Sequence, residues 1–193
     1  MLRALGVCGS PRRGGNTETL LDVTLNELKG LGVKAEKIFL NAYDVRPCTG
    51  CRYCVEEGRC CMDDDMTNVL IPKLLSADII VIASPVYFNN VSSYVKTFMD
   101  RTWCIRGKLR NKVGSGIVVG RGYGLEFALT AIHSFMLKHE VVLGYRGVAG
   151  VGFEAGEVLK DKRAIEDARR LAKRLYELAR LLHLYPHERG AIA

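Results

Sequence analysis

The sequence predicts an α/β protein: a doubly wound, five-stranded parallel sheet with helices on both faces. Three observations carry this. Short apolar runs alternate five times with segments of helical periodicity, an order that builds a parallel sheet rather than hairpins. The run Ala77–Ala83 (ADIIVIA) is apolar and β-branched, as in a central strand covered on both faces. A loop rich in Gly, Ser and Asn follows the first apolar run and opens the first helical one, where such folds bind ligands.

The elements follow in order. Leu2–Cys8 is a short buried strand ending at Gly9. Asn16–Leu31 is a helix, with Leu20, Leu21, Val23, Thr24, Leu25 and Leu28 at near-helical spacing and Gly30 and Gly32 as its stop. Val33–Leu40 is the second strand. The segment 45–65 carries Pro47, Gly50 and Gly58 and reads as a cysteine-rich loop or small subdomain. Met66–Leu75 is a helix that Pro72 should break or kink. Asp63, Asp64 and Asp65 precede it. They suit the positive end of its dipole better than a cation site.

After the third strand, Ala77–Ala83, come a helix over Ser92–Cys104 and a strand over Lys112–Val119. A helix over Gly124–Lys138 and a short strand over Glu140–Leu143 follow. Residues 144–156 carry five glycines and read as a loop with one more strand piece. The segment 161–183 is a long amphipathic helix. Its apolar stripe runs through Ile165, Ala168, Leu171, Ala172, Leu175, Leu178, Ala179 and Leu182. The stripe either covers the sheet or builds a subunit interface. The tail from Tyr185 to Ala193 is expected to be loose. The whole chain, 1–193, is expected to form one domain.

Composition narrows the function classes. With 48% hydrophobic and 25% charged residues, the 193-residue chain is ordinary globular protein rather than disordered. No apolar run approaches the roughly 18 residues of a membrane span. Met1 leads directly into a strand without a signal-peptide pattern, so a cytoplasmic protein is expected. The 28 Lys and Arg against 21 Asp and Glu leave +7. Charges of both signs mix on the last helix, and no nucleic-acid-binding motif is present. The excess can instead steer an acidic electron donor. The four histidines form no metal-ligand spacing, and His133 reads as a packed or surface residue. Five of the seven cysteines fall between Cys48 and Cys61, which points to metal or redox chemistry rather than a disulfide scaffold.

Three loops at strand ends are candidates for a ligand site. Gly9-Ser10-Pro11-Arg12-Arg13-Gly14-Gly15-Asn16-Thr17 joins a strand to a helix start, whose free N–H groups bind phosphate. Ser10, Asn16 and Thr17 add donors, and Arg12 or Arg13 adds charge. The loop has neither G-x-x-x-x-G-K-[ST] nor G-x-G-x-x-G, so a monophosphate is expected. A plain turn with an Asn N-cap is the alternative. Ser84-Pro85-Val86-Tyr87-Phe88-Asn89-Asn90-Val91-Ser92 offers aromatic faces and main-chain donors suited to a planar heterocycle. Its aromatics can equally be packing residues. Gly120-Arg121-Gly122-Tyr123-Gly124 lets backbone approach a ligand closely.

Together the three loops resemble those of the flavodoxin-like NAD(P)H-dependent FMN reductase family, over roughly Leu2 to Leu143. The resemblance implies a flavodoxin-like fold and bound FMN. The phosphate is then expected on Ser10, Arg12, Asn16 and Thr17. The ring is expected against Pro85, Val86, Tyr87, Phe88 and Asn89 and against Gly120, Arg121 and Gly122.

The cysteines read C-x₂-C-x₂-C-x₅-C over Cys48, Cys51, Cys54 and Cys60, with Cys61 in addition. Three thiols at such intervals can wrap one side of a cuboidal cluster and a fourth can close it. Within the superfamily the pattern resembles the iron–sulfur flavoprotein branch, which implies a [4Fe–4S] cluster on Cys48, Cys51, Cys54 and Cys60. Cys61 leaves the fourth ligand open. Structural zinc is one alternative, and a disulfide or free-thiol cluster in a cluster-free FMN reductase is the other. Cys8 and Cys104 are expected to be buried, structural residues.

The leading expectation is an oxidoreductase that moves electrons between a one-electron donor such as ferredoxin and a small two-electron acceptor. The alternative is an NAD(P)H-dependent FMN or quinone reductase without the cluster. A non-enzymatic binding module is a third reading. The resemblance further implies a homo-oligomer, dimer or tetramer, in which cluster and FMN meet across an interface.

Overall fold

The computed structural model describes residues 1–184. The expected looseness of the tail and His187 lie outside the described residues. Among the described residues there are six strands: β1 (Arg3–Cys8), β2 (Lys34–Phe39), β3 (Ile79–Pro85), β4 (Val113–Gly120), β5 (Val142–Leu143) and β6 (Val148–Val151). The helices are α1 (Asn16–Gly30), α2 (Tyr53–Glu57), α3 (Ile71–Ser76), α4 (Ser93–Arg101), α5 (Leu125–Lys138) and α6 (Lys162–Leu184).

The sheet order is β2-β1-β3-β4-β5 and every pairing is parallel. The expected fifth position is occupied twice. β5 lies beside Val113 and Gly114, and β6 beside Ile117–Gly120. The strand piece expected within 144–156 therefore continues the edge that β5 begins.

Side-chain alternation along β3 explains the two cores. Ile80 and Ile82 pack with α3, α4 and α5 on one face. Ile79, Val81 and Ala83 pack with α1 and α6 on the other. Ala164, Ala168, Leu171, Ala172, Leu175 and Ala179 of α6 are buried there. The apolar stripe of α6 thus covers the sheet. Cys8 is buried in this second core, and burial pushes its thiol up to about 11.

Two local expectations needed adjustment. Pro72 does not end its helix. A π-helical turn at Met66–Leu70 runs straight into α3, so the helix changes type just ahead of Pro72 and continues past it. The cysteine-rich loop holds a short helix, α2, bounded by Arg52 and Gly58, both in the left-handed region.

Gly9 illustrates how the centre is assembled. Its N–H donates to Ala83 O at 2.8 Å, and a Cβ there would overlap Val95 of α4. Gly9→Ala is therefore expected to destabilise the protein by about 1–3 kcal/mol through overpacking, measured by urea unfolding.

Candidate functional site

The switch point of the strand order lies between β1 and β3, whose outgoing connections run to opposite sides. Buried hydroxyls join the loops there. Ser92 Oγ donates to Gly9 O at 2.8 Å. Ser84 Oγ accepts from Ser92 N at 2.9 Å and donates to Pro85 O at 2.8 Å. The loops after β3 and β4 interlock in turn. Gly124 adopts φ 69°, and a Cβ there would meet Asn89.

Over these loops opens a cleft of about 600 Å³. Ser10, Arg12, Asn16 and Thr17 line it, with Pro85, Val86, Tyr87, Gly120 and Arg121. Nine of the twelve residues expected around FMN thus converge on one cavity. Its size is within the usual range for cofactor sites, roughly 300–1,000 Å³.

The start of α1 is open toward the cleft. Its cap, Gly15, makes no side-chain capping bond, so the first N–H groups are available to an anion. Asn16 acts differently from the expectation for its side chain. Nδ2 donates to Glu154 O at 2.8 Å and Oδ1 accepts from Val158 N at 3.3 Å. The side chain thereby anchors the loop after β6 while Asn16 still lines the cleft. Glu18 Oε2 accepts from Gly14 N at 2.6 Å, and Lys37 Nζ donates to Glu18 at 2.6 Å. Burial opposes the charged form of Glu18. Lys37 and the Gly14 N–H outweigh it and hold the carboxyl below the usual range.

Phe88, Asn89 and Gly122 are not among the residues lining the cleft. Phe88 and Asn89 form the two-residue turn of a tight hairpin, with Tyr87 N donating to Asn90 O and Asn90 N to Tyr87 O. Both have positive φ, 47° and 59°, the geometry of a type I′ turn. Phe88 is fully exposed as a result. An aromatic in that conformation is costly, on the order of 1–3 kcal/mol.

One wall was not among the candidate residues of the sequence reading. Gly152, Phe153 and Ala155, after β6, close the cleft, and Arg121 stacks on the Phe153 ring at 3.5 Å from its centroid. The run of glycines at 144–156 was the available signal. Tyr123 also lines the opening, and Arg13 does so while stacking on Phe39.

The seven cysteines, all described, form no disulfide. Cys48, Cys51 and Cys61 are exposed, whereas Cys54 and Cys60 are half-buried. Cys51 Sγ and Cys61 Sγ stand 3.5 Å apart. The Tyr53 N–H and Cys61 hold the Cys51 thiol below the usual range, and Cys51 pushes Cys61 up. Among the described residues no three Cys, His, Asp or Glu side chains stand in a ligating arrangement. The sequence-expected set Cys48, Cys51, Cys54 and Cys60 is thus on one loop without being gathered around a point. The donor chemistry nonetheless suits iron and sulfide: soft, unbridged thiols on a short exposed loop.

That loop is tied down by residues whose role the sequence did not disclose. Asp64, expected to face a helix dipole, is buried against Arg101, with Nη1 at 2.5 Å from Oδ2 and Nη2 at 2.9 Å from Oδ1. Burial opposes ionisation of Asp64. The Arg101 bonds and the Arg46 N–H outweigh it and keep its carboxyl low. Asp63 instead accepts from Asn68 and Asp65 from Asp44 N. Cys104 is buried as expected, its Sγ donating to Arg101 O. His133 lies against Ser115 Oγ at 3.3 Å, and burial lowers its pKa.

Comparison with known proteins agrees with this arrangement. A family model described as NADPH-dependent FMN reductase matches residues 2–152. An iron–sulfur flavoprotein of Methanocaldococcus jannaschii is 38% identical over 192 residues, covering 94% of this chain and 99% of that protein. An iron–sulfur flavoprotein of Archaeoglobus fulgidus is 36% identical over 195 residues, covering 92% and 96%. The solved structure of RosB, with a bound formylriboflavin phosphate intermediate, superposes with a TM-score of 0.82 at 20% identity, over 97% of this chain and 82% of that one. No described helix is long and apolar enough to cross a membrane. The chain belongs to the NADPH-dependent FMN reductase family, in its iron–sulfur flavoprotein branch, and is a flavodoxin-like, FMN-dependent oxidoreductase.

Proposed function

We propose that the protein is an electron-transfer flavoprotein that holds FMN in the cleft and a [4Fe–4S] cluster on Cys48, Cys51, Cys54 and Cys60. It links a one-electron donor such as ferredoxin to a small two-electron acceptor. The observation that carries this reading is the co-occurrence, in one chain, of the cleft at the switch point and five unbridged thiols on the loop after β2. When bound, the cluster supplies single electrons and the flavin one or two.

The chain's own residues do the binding and orienting. The N–H groups at the start of α1, Ser10 and Arg12 take the phosphate. Pro85, Val86, Tyr87, Gly120 and Arg121 bound the space for the ring and exclude water from one side. Lys37 neutralises Glu18 beside the phosphate loop, which reduces repulsion of an anion there. A homo-oligomer fits the exposed aromatics Tyr87, Phe88, Tyr123 and Phe127, which otherwise face solvent.

Anaerobic purification followed by absorbance, flavin and iron determination tests the reading. About four iron and four acid-labile sulfide per chain are expected beside one FMN. Flavin without iron under those conditions overturns it.

One observation favours a second reading, the cluster-free NAD(P)H-dependent reductase: Cys51 and Cys61 stand as a close thiol pair. Its mark is NAD(P)H turnover that does not depend on the cysteines.

A further inference from the structure

Among the described residues Arg101 is the one buried Lys or Arg. Its side chain is 1% exposed and that of its partner Asp64 is 0%. Such a charge persists only if it is paired and hydrogen-bonded. Asp64 satisfies the pairing end-on, through Nη1 and Nη2. The remaining bonds all go to the cysteine-rich loop and its flanks. Nη1 donates to Arg46 O at 2.7 Å, just before the cysteines. Nη2 donates to Thr67 Oγ1 at 3.3 Å, just after them. It also donates to Cys60 Sγ at 3.4 Å. Nε is buried without a partner among the described residues.

Arg101 also terminates a rigid connection to the cleft. It is the last residue of α4, whose cap Ser92 is bonded to Gly9 at the phosphate loop. Nine residues of helix separate the two ends, about 13 Å at 1.5 Å per residue. The cysteine loop is therefore referenced to the cleft through one helix.

We propose that Arg101 is the positioning residue of the cluster, closing the cysteine-rich loop at both ends and donating a hydrogen bond to Cys60 Sγ that raises the cluster's reduction potential. This rests on the cluster reading above. The physical argument is one of charge. Reduction adds a negative charge, part of which resides on the ligand sulfurs. An N–H···S bond from a buried cation stabilises the reduced form more than the oxidised form. A lysine cannot reproduce it, since one ammonium cannot span Asp64 and Cys60 in the fork geometry of a guanidinium.

The test compares anaerobically prepared parent, Arg101→Lys, Arg101→Gln and Thr67→Val. It reads iron, sulfide and FMN per chain and the midpoint potential of the cluster. Both arginine variants are expected to keep FMN and to lower the potential. A tenfold shift in the reduced-to-oxidised ratio reads as about 59 mV for one electron. Thr67→Val loosens the same loop without removing the donor to Cys60, so it is expected to leave the potential in place. Arginine variants with full iron and the parental potential overturn the proposal, as does a Thr67→Val shift equal to theirs. Should the arginine variants not fold, the parent decides. Arginine labelled with nitrogen-15 in the guanidino group alone, in an Arg52→Lys, Arg59→Lys background, is expected to give a hyperfine coupling to the reduced cluster in pulsed electron paramagnetic resonance, and its absence overturns the proposal. A parent protein that carries FMN but no iron defeats the cluster reading itself, which distinguishes the two failures.

Discussion

Cys51→Ser, purified without oxygen, is expected to retain FMN and to lose its iron and sulfide, from about four of each per chain to nearly none. The thiolate is the ligand, and a serine hydroxyl stays protonated at neutral pH. Cys51 is exposed, so the substitution leaves both cores intact and the flavin cleft unaltered. Flavin reduction by ferredoxin is expected to fall by at least about a hundredfold, the upper end of what even outer-shell changes cause at metal sites. Cys60→Ser and Cys61→Ser separate the candidates for the fourth ligand. Loss of iron in the first alone assigns Cys60, the thiol that faces Arg101. Loss in the second alone assigns Cys61. Parental NAD(P)H turnover in Cys51→Ser, with no iron in the parent either, is the result that favours the cluster-free reductase.

Asp64→Ala is expected to cost about 3–5 kcal/mol of unfolding free energy, because it strands the Arg101 guanidinium in the interior. Urea unfolding of the variant and parent at neutral pH measures it. The same pair gives a pH dependence whose sign is fixed. The Asp64 carboxyl titrates lower in the folded chain than its ordinary value, so its contribution is fully present above about pH 3.9. It is lost as the pH falls through the lowered folded-state value. Stability of the parent should therefore decline in acid, and Asp64→Asn should flatten that decline. An unchanged slope in the variant removes Asp64 as its source.

Much of the fold was legible because its signals are local. The alternation of β and α periodicity announced a parallel sheet, and the glycine, serine and proline positions marked the loops at its carboxyl end. The apolar stripe on α6 marked a packing face, though whether it met the sheet or another subunit was a matter of tertiary contact. The type of helix around Pro72 was less legible, since a π-helical turn that accommodates proline has no period of its own.

The site divides along the same line. Residues in sequence-contiguous loops, such as Ser10, Arg12 and Thr17 or Pro85 to Tyr87, could be picked out by chemistry and position. Phe88 could not be distinguished from Tyr87 by composition, because only the two-residue turn decides that one lines the cleft and the other projects away from it. The bonds that tie the Asn16 side chain to Glu154 and Val158, more than a hundred positions away, could not be read from the sequence.

By itself the sequence determined the order of strands and helices, the ligand-bearing loops and the crowd of thiols after the second strand. Each depends on neighbours in the chain. Only the tertiary structure decided the split fifth position, the wall formed by Gly152 and Phe153, and the Arg101–Asp64 clamp beneath Cys60. Those features join residues far apart in sequence, and a buried charge reveals its partner only when both leave water together.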